Sequence, residues 1–361
     1  MPIARHRQVA LSATPYYHCI GRCVRRAFLW GRDDYSGRDF SHRKLWVMER
    51  LTQLSQVFAV NLCAYAIMSN HYHLVVHVDA EKAQSWSDAE VAERWGKLFS
   101  LPVYVEQVLK GQASAAEHHY ATKFLTEIRR RLSDLSWYMR SLNESIARRA
   151  NQEDQCTGRF WEGRFKSQAI LDEAGLLACC MYVDLNPVRA GIAPTLEDSE
   201  FTGIQQRLFE HAAKLQQKLS TKQTPRKTKR IPTSPAQHQQ STKQQAGQQP
   251  DRLTLPPLHP FGGSLSTDPA QGLPFKLTDY LELADWTARI VRSDKRGATP
   301  EHLPPILQRL GLDSASFLSK MQAQAFKRGY VIGQIERLKN FAEYLQLQRR
   351  VGIGLPVATP G

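Results

Sequence analysis

The chain has 361 residues, 42% of them hydrophobic, with a formal net charge of +14 and an isoelectric point near 9.6. That length suggests about two domains, and that charge calls for a polyanionic partner, nucleic acid before a membrane surface. No apolar run reaches the ~18 residues of a membrane span, no apolar leader opens the chain, and the six cysteines show no CxxC pairs, which leaves reduced thiols and a cytoplasmic, nucleoid-associated setting as the expectation.

Tyr16 to Val24, after Pro15, reads as a first strand, and a polar loop through Gly31-Arg32-Asp33-Asp34 follows. Leu45, Met48, Leu51, Leu54 and Phe58 recur at helical spacing behind Ser41, an N-cap candidate, and predict a helix over 41–58. Val60 to Val78 reads as two strands joined at a tight Ser69-Asn70 turn. In the second strand Tyr72, Leu74, Val76 and Val78 share one face, while His71, His73, Val75 and His77 share the other.

A helix is expected over 88–98, then an irregular insertion near 100–122, then one long helix over 124–150 rich in arginine on its outer faces. A basic, aromatic stretch, Gly158 to Leu171, ends in a strand, and Asp172 caps a helix that Pro187 stops at Asn186. Strand–helix–strand–strand–helix–strand is the order of a ferredoxin-like α+β sandwich, an antiparallel sheet with helices. The expected division is a domain over 1–210, a basic Gln- and Pro-rich disordered linker over 211–273, a small helical domain over 274–350 and a tail over 351–361. Nothing in the helical domain looks catalytic, so a chain ending near Glu210 is expected to keep the site.

The chemistry gathers on two stretches. Two imidazoles two residues apart on a strand, His71 and His73, point the same way and can share a divalent ion; the plain alternative is a pair of partly exposed histidines. Tyr182 and Asn186 are four apart on the helix before Pro187 and share a face. An amide oxygen is a fitting ligand for a hard cation, so His71, His73 and Asn186 can form a three-ligand site with Tyr182 facing a bound phosphate. In isolation the same residues also fit a half-buried tyrosine and a capping asparagine. Arg159, Arg164, Lys166 and Arg189 are candidate phosphate contacts, and Trp161 a platform for an unpaired base. His77, ~13 Å beyond His73 along the strand, reads as a bystander, with a phosphate contact as the alternative.

Three motifs carry a family resemblance: Met68-Ser69-Asn70-His71-Tyr72-His73, Gly158 to Ser167, and Tyr182-Val183-Asp184-Leu185-Asn186-Pro187-Val188-Arg189-Ala190-Gly191. Over roughly Pro15 to Ile204 the chain resembles the REP-associated tyrosine transposases, single-tyrosine members of the HUH (His, bulky hydrophobic, His) group. The resemblance implies the ferredoxin-like fold and a Mg²⁺ or Mn²⁺ site. It also implies cleavage and rejoining of single-stranded DNA at hairpin-forming repeats through a covalent 5′-phosphotyrosine. His71 and His73 match the metal histidines, Tyr182 the nucleophile and Asn186 the third polar ligand. Tyr72 stands where the family has an aliphatic residue, and the insertion, linker and helical tail lie outside the resemblance, leaving a monomer or homodimer open. The rival expectations are a repeat-binding protein that no longer transposes and a metal-dependent nuclease that hydrolyses through water.

Overall fold

Alternating side chains build the sheet. In the computed structural model, which describes residues 8–24, 31, 37–222, 255–263, 268–269, 271–291, 304–322, 326, 329, 331–344 and 353–355, β1 (Tyr16–Arg22), β2 (Val60–Ile67) and β3 (His71–Val78) form where β-branched and aromatic residues recur. β3 pairs antiparallel with both β2 and β1, and β1 pairs antiparallel with β4 (Lys166–Ile170). The order β2-β3-β1-β4 is extended by β5 (Val331–Gln334) and β6 (Ile353–Leu355), each parallel to its neighbour, into a mixed sheet of six strands. With the helices described below, the fold is α+β.

Each sheet face has its own core, divided as the parity of β3 requires. Tyr72, Leu74, Val76 and Val78 pack with α1 (Arg43–Val57), α5 (Ala115–Leu132) and α6 (Leu135–Glu153). Val75 packs on the opposite side with α7 (Glu173–Asp184). A register shift between Leu62 and Ala64 lets Leu62 and Tyr65 enter the first core while Cys63 and Ala64 enter the second. Arg43, fully buried, ties α1 to the end of α6 through Glu153 and Asp154, each at 2.5 Å.

Tyr72 is accommodated by a glycine. Its ring lies across Gly21, its partner on β1, where an added Cβ would stand 2.5 Å from Cε1 and Oη. The hydroxyl donates to Asn143 Oδ1 at 2.5 Å. Gly21→Ala is therefore expected to destabilise the protein by roughly 1–3 kcal/mol through overpacking. Adding Tyr72→Leu, which vacates the space, should recover part of the loss in thermal melts.

Several expectations need correcting. The expected helix over 124–150 is two helices, because Asp134 accepts from Trp137 N at 2.9 Å and starts α6 afresh after Ser133. The insertion is largely helical rather than irregular. It follows α2 (Ala80–Ser85) and α3 (Asp88–Gly96) and holds α4 (Val103–Leu109) and the start of α5, and capping boxes at Ser87/Glu90 and Ser114/Glu117 begin α3 and α5. Ser41 does not cap α1: the N-cap position is His42, without a side-chain bond. Pro187 does not stop the helical path at Asn186. After Leu185 the chain enters a short turn, α8 (Asn186–Arg189), with Pro187 in its first turn, where its missing N–H costs nothing.

The linker and tail differ most. α9 (Gly203–Lys222) runs past residue 211, and residues 223–254 lie outside those described. Residues 255–263 are packed, not loose: Leu258 bridges Leu62, His259 N donates to Leu62 O at 2.7 Å, and Arg207 donates to the carbonyls of Cys63 and His259. The described residues of 274–344 share a core with α7. Every residue of α7 from Ala174 to Asp184 is buried, and an all-round apolar helix needs cover on its outer side as well. α10 (Leu277–Val291), α11 (Pro305–Arg309), α12 (Ser314–Gln322) and Phe326 supply it, β5 joins the sheet, and α13 (Ile335–Tyr344) follows. Tyr280 donates to the buried Asp184 carboxyl at 2.6 Å, and burial raises that carboxyl to about 7. The expected continuation through Leu345 to residue 350 lies outside the described residues.

His77 is buried in this second layer. It accepts from Asn61 Nδ2 at 3.1 Å and stacks on His259, ring centroids 5.2 Å apart. His259 in turn donates Nε2–H to Pro269 O at 2.8 Å. Burial holds His77 down at about 4, with His259 acting the same way and Asp79 and Asp268 opposing; burial also lowers His259, against its hydrogen bond to Pro269 and with Arg207 and Lys82 acting the same way as burial. Depressed histidines stabilise the fold above the unfolded value near 6.5 and cease to do so as pH falls. At pH 5 the His77 penalty alone is roughly 2 kcal/mol. Amide protection in 255–263 should drop between pH 7 and 5, and less so in His259→Phe, which keeps a stacked ring.

Candidate active site and metal centre

β3 presents His71 and His73 on the α7 side of the sheet, their ring centroids 4.9 Å apart. Met68 N donates to His71 O at 2.8 Å and closes the turn that starts the strand. His71 Nδ1 meets Asn70 Oδ1 at 2.7 Å; an amide oxygen only accepts, so Nδ1 carries the proton and the lone pair lies on Nε2. His73, 1% exposed, has Nδ1 2.9 Å from Nε2 of His18 on β1.

His18 is the residue that the sequence reading missed. It faces Gln168 directly across the β1–β4 ladder, and its Nδ1 lies 2.6 Å from Gln168 Oε1. It is fully buried, and desolvation holds it near 4 against the opposing hydrogen bond to Gln168, so the ring is neutral at pH 7. In the sequence it is one histidine in an apolar strand, and only the pairing register brings it to the other two.

α7 brings Tyr182 to this cluster. Its ring centroid is 5.7 Å from that of His73 and 6.2 Å from that of His18. Arg189, from the turn after α7, holds its guanidinium carbon 4.3 Å from the ring centroid. Burial raises the phenol above its usual value near 10, and the Arg189 charge pulls it back. The hydroxyl makes no hydrogen bond of ordinary geometry. The ring is 0% exposed, and Phe326 lies over it with centroids 4.5 Å apart. Asn186 is also buried, its Nδ2 without a hydrogen bond, and it is the first residue of α8, directly after the residue that caps α7.

A cleft of about 410 Å³ opens in front of the histidines, lined among others by Arg22, His71, His73, Glu162, Arg164 and Lys166. Arg159, Arg164 and Lys166 are exposed. Trp161 is not offered to solvent in the same way: its indole donates to Asn143 O at 2.8 Å and its ring packs on Tyr72 and Phe160. Arg164 and Lys166 therefore line the cleft, while Phe160 and Trp161 lie against the first core.

The donor set fits a divalent cation in kind. Among the described residues no three His, Cys, Asp or Glu side chains gather for a metal, so a cation here would take two imidazoles plus a neutral oxygen. His71 and His73 each have Nδ1 engaged behind the ring, the arrangement that orients ligating histidines. All six cysteines are free thiols, and among the described residues no helix is long and apolar enough to cross a membrane.

Comparisons with family models and with curated proteins find no match. Among solved structures, that of a REP-associated tyrosine transposase bound to a REP hairpin aligns with 54% of this chain and 79% of its own, at 11% identity and a TM-score of 0.31. A likeness of that size carries no argument about function.

Proposed function

We propose that this protein is a metal-dependent DNA strand transferase that cleaves single-stranded DNA beside a hairpin, with Tyr182 as nucleophile. The observation that carries the reading is the meeting of Tyr182 with His73 within one chain, next to a basic cleft. The motif resemblance and the net charge of +14 agree with it. The order β2-β3-β1-β4 with α1 and α6 on one face fits a ferredoxin-like sandwich that α7 and the C-terminal segment cover on the other.

His71, His73 and the Asn186 amide oxygen are the residues that would hold Mg²⁺ or Mn²⁺, and two imidazoles favour Mn²⁺ over the oxygen-seeking Mg²⁺. The bound cation would neutralise the non-bridging phosphate oxygens and raise the electrophilicity of phosphorus. The chain's own part begins with Arg22, Arg164 and Lys166 holding the backbone in the cleft. Tyr182 Oη then gives its proton to water and forms the O–P bond as the bond from phosphorus to the 3′ oxygen breaks, and that oxygen takes up a proton from water. The phosphotyrosine ester keeps the phosphate competent for rejoining to another 3′ hydroxyl. Arg189 stands ready to favour the phenolate and the charge that develops beside it.

One observation favours a second reading, hairpin binding without cleavage: Tyr182 is 0% exposed, with Phe326 packed against its ring, so DNA reaches the hydroxyl only after that cover is displaced. A labelled hairpin with a single-stranded flank, incubated with Mn²⁺ and run on a denaturing gel, separates the readings. A protein–DNA adduct supports the transferase, cleavage without adduct supports a hydrolytic nuclease, and a bound but intact strand supports the binding module.

A further inference from the structure

The hydrogen bonds behind His73 run in one direction. Gln168 Nε2 donates to Gly329 O at 2.9 Å, which turns its amide so that Oε1 faces His18 Nδ1 at 2.6 Å. An amide oxygen accepts, so His18 carries its proton on Nδ1 and offers the Nε2 lone pair. His73 Nδ1, 2.9 Å from that lone pair, must then be the donor. Its own lone pair is left on Nε2, the nitrogen on the far side of the ring from His18.

We infer that Gln168 and His18 are positioning residues that fix the tautomer of His73, and that the carbonyl of Gly329 sets the direction of the relay from the C-terminal segment. The inference rests on the metal reading above for its purpose but not for its geometry. A histidine that ligates through Nε2 has to be protonated on Nδ1, and outer partners that enforce this typically raise metal affinity 10–100-fold. The relay crosses three strands: Gln168 on β4, His18 on β1 and His73 on β3, with His18 opposite Gln168 and two residues out of register from His73. It gives the segment after α12 a role at the site that its lack of catalytic side chains conceals.

The test uses the full-length protein with ¹⁵N-labelled histidine, His73 being assigned from the spectrum of His73→Gln. Without metal, long-range ¹H–¹⁵N correlations should show wild-type His73 as a single Nδ1–H tautomer. Gln168→Met, which keeps bulk and removes both relay bonds, should give a mixture of tautomers, and Mn²⁺ titration followed by electron paramagnetic resonance should show affinity lowered about 10–100-fold. His18→Phe should do the same. A wild-type His73 protonated on Nε2, or folded variants with unchanged tautomer and unchanged Mn²⁺ affinity, would overturn the relay. If the wild type binds no Mn²⁺, the metal reading fails alone, and the metal-free spectra still decide the relay.

Discussion

Ending the chain at Glu210 should yield a fragment that aggregates or lacks a cooperative thermal transition. The deletion removes Leu283, Phe317, Met321, Phe326 and Ile332, all 0–1% exposed in the core they share with α7. It also removes the Tyr280 bond to Asp184 and the β5 pairing with β4. At ~1.5–3 kcal/mol per large buried side chain, the lost burial is on the order of 10 kcal/mol, comparable to the whole stability of a typical domain. Asp184 would be left as a buried carboxyl without its donor, or the outer side of α7 would face water. Soluble yield and a differential scanning trace against the full-length protein check this. A soluble fragment that melts cooperatively near the full-length temperature would show that the C-terminal segment is an appendage after all.

If His71 and His73 hold a metal as proposed, replacing either should strongly damage chemistry while leaving the fold standing. His73→Ala and His71→Ala each remove one of two nitrogen ligands, and since outer-shell partners alone are worth 10–100-fold, cleavage should fall by at least ~100-fold. Hairpin affinity should stay within a few-fold, because phosphate contacts from Arg22, Arg164 and Lys166 supply most of it. His77→Ala is the contrast: it lies outside the cleft and should cost stability rather than rate. Cleavage at the wild-type rate by either His71→Ala or His73→Ala under limiting Mn²⁺ would remove the two-histidine site.

How much of this was legible in the sequence depended on the range of the interaction. Parity along β3 is a local property, so the assignment of Tyr72, Leu74 and Val76 to one core and of the histidines to the other face could be read directly. His18 could not, because its meaning comes from being opposite Gln168 and diagonal to His73, and register between distant strands has no local signature. The break at Ser133-Asp134 was readable, but the hydrophobic periodicity continued across it and hid it, and the box at Ser114 lay in a stretch that read as irregular. Residues 255–263 lie in a stretch that reads as linker by composition; their packing comes from backbone bonds to β2 and from Arg207, which composition does not register. β5 is four residues long, too short for a pattern, and its place beside β4 is what turns an expected separate domain into the cover of the site.

The most direct measurement is the fate of the adduct in Tyr182→Phe. The substitution removes one oxygen that makes no ordinary hydrogen bond, so stability should change by no more than ~1 kcal/mol, and hairpin binding should be unaffected. Wild-type protein with Mn²⁺ and hairpin DNA should give a denaturation-resistant adduct whose DNA-bearing peptide contains Tyr182, and Tyr182→Phe should give none. Tyr16, Tyr17, Tyr65 and Tyr72, all buried elsewhere in the sheet, are the internal controls. An adduct that persists in Tyr182→Phe, or that maps to one of those four, would contradict the account.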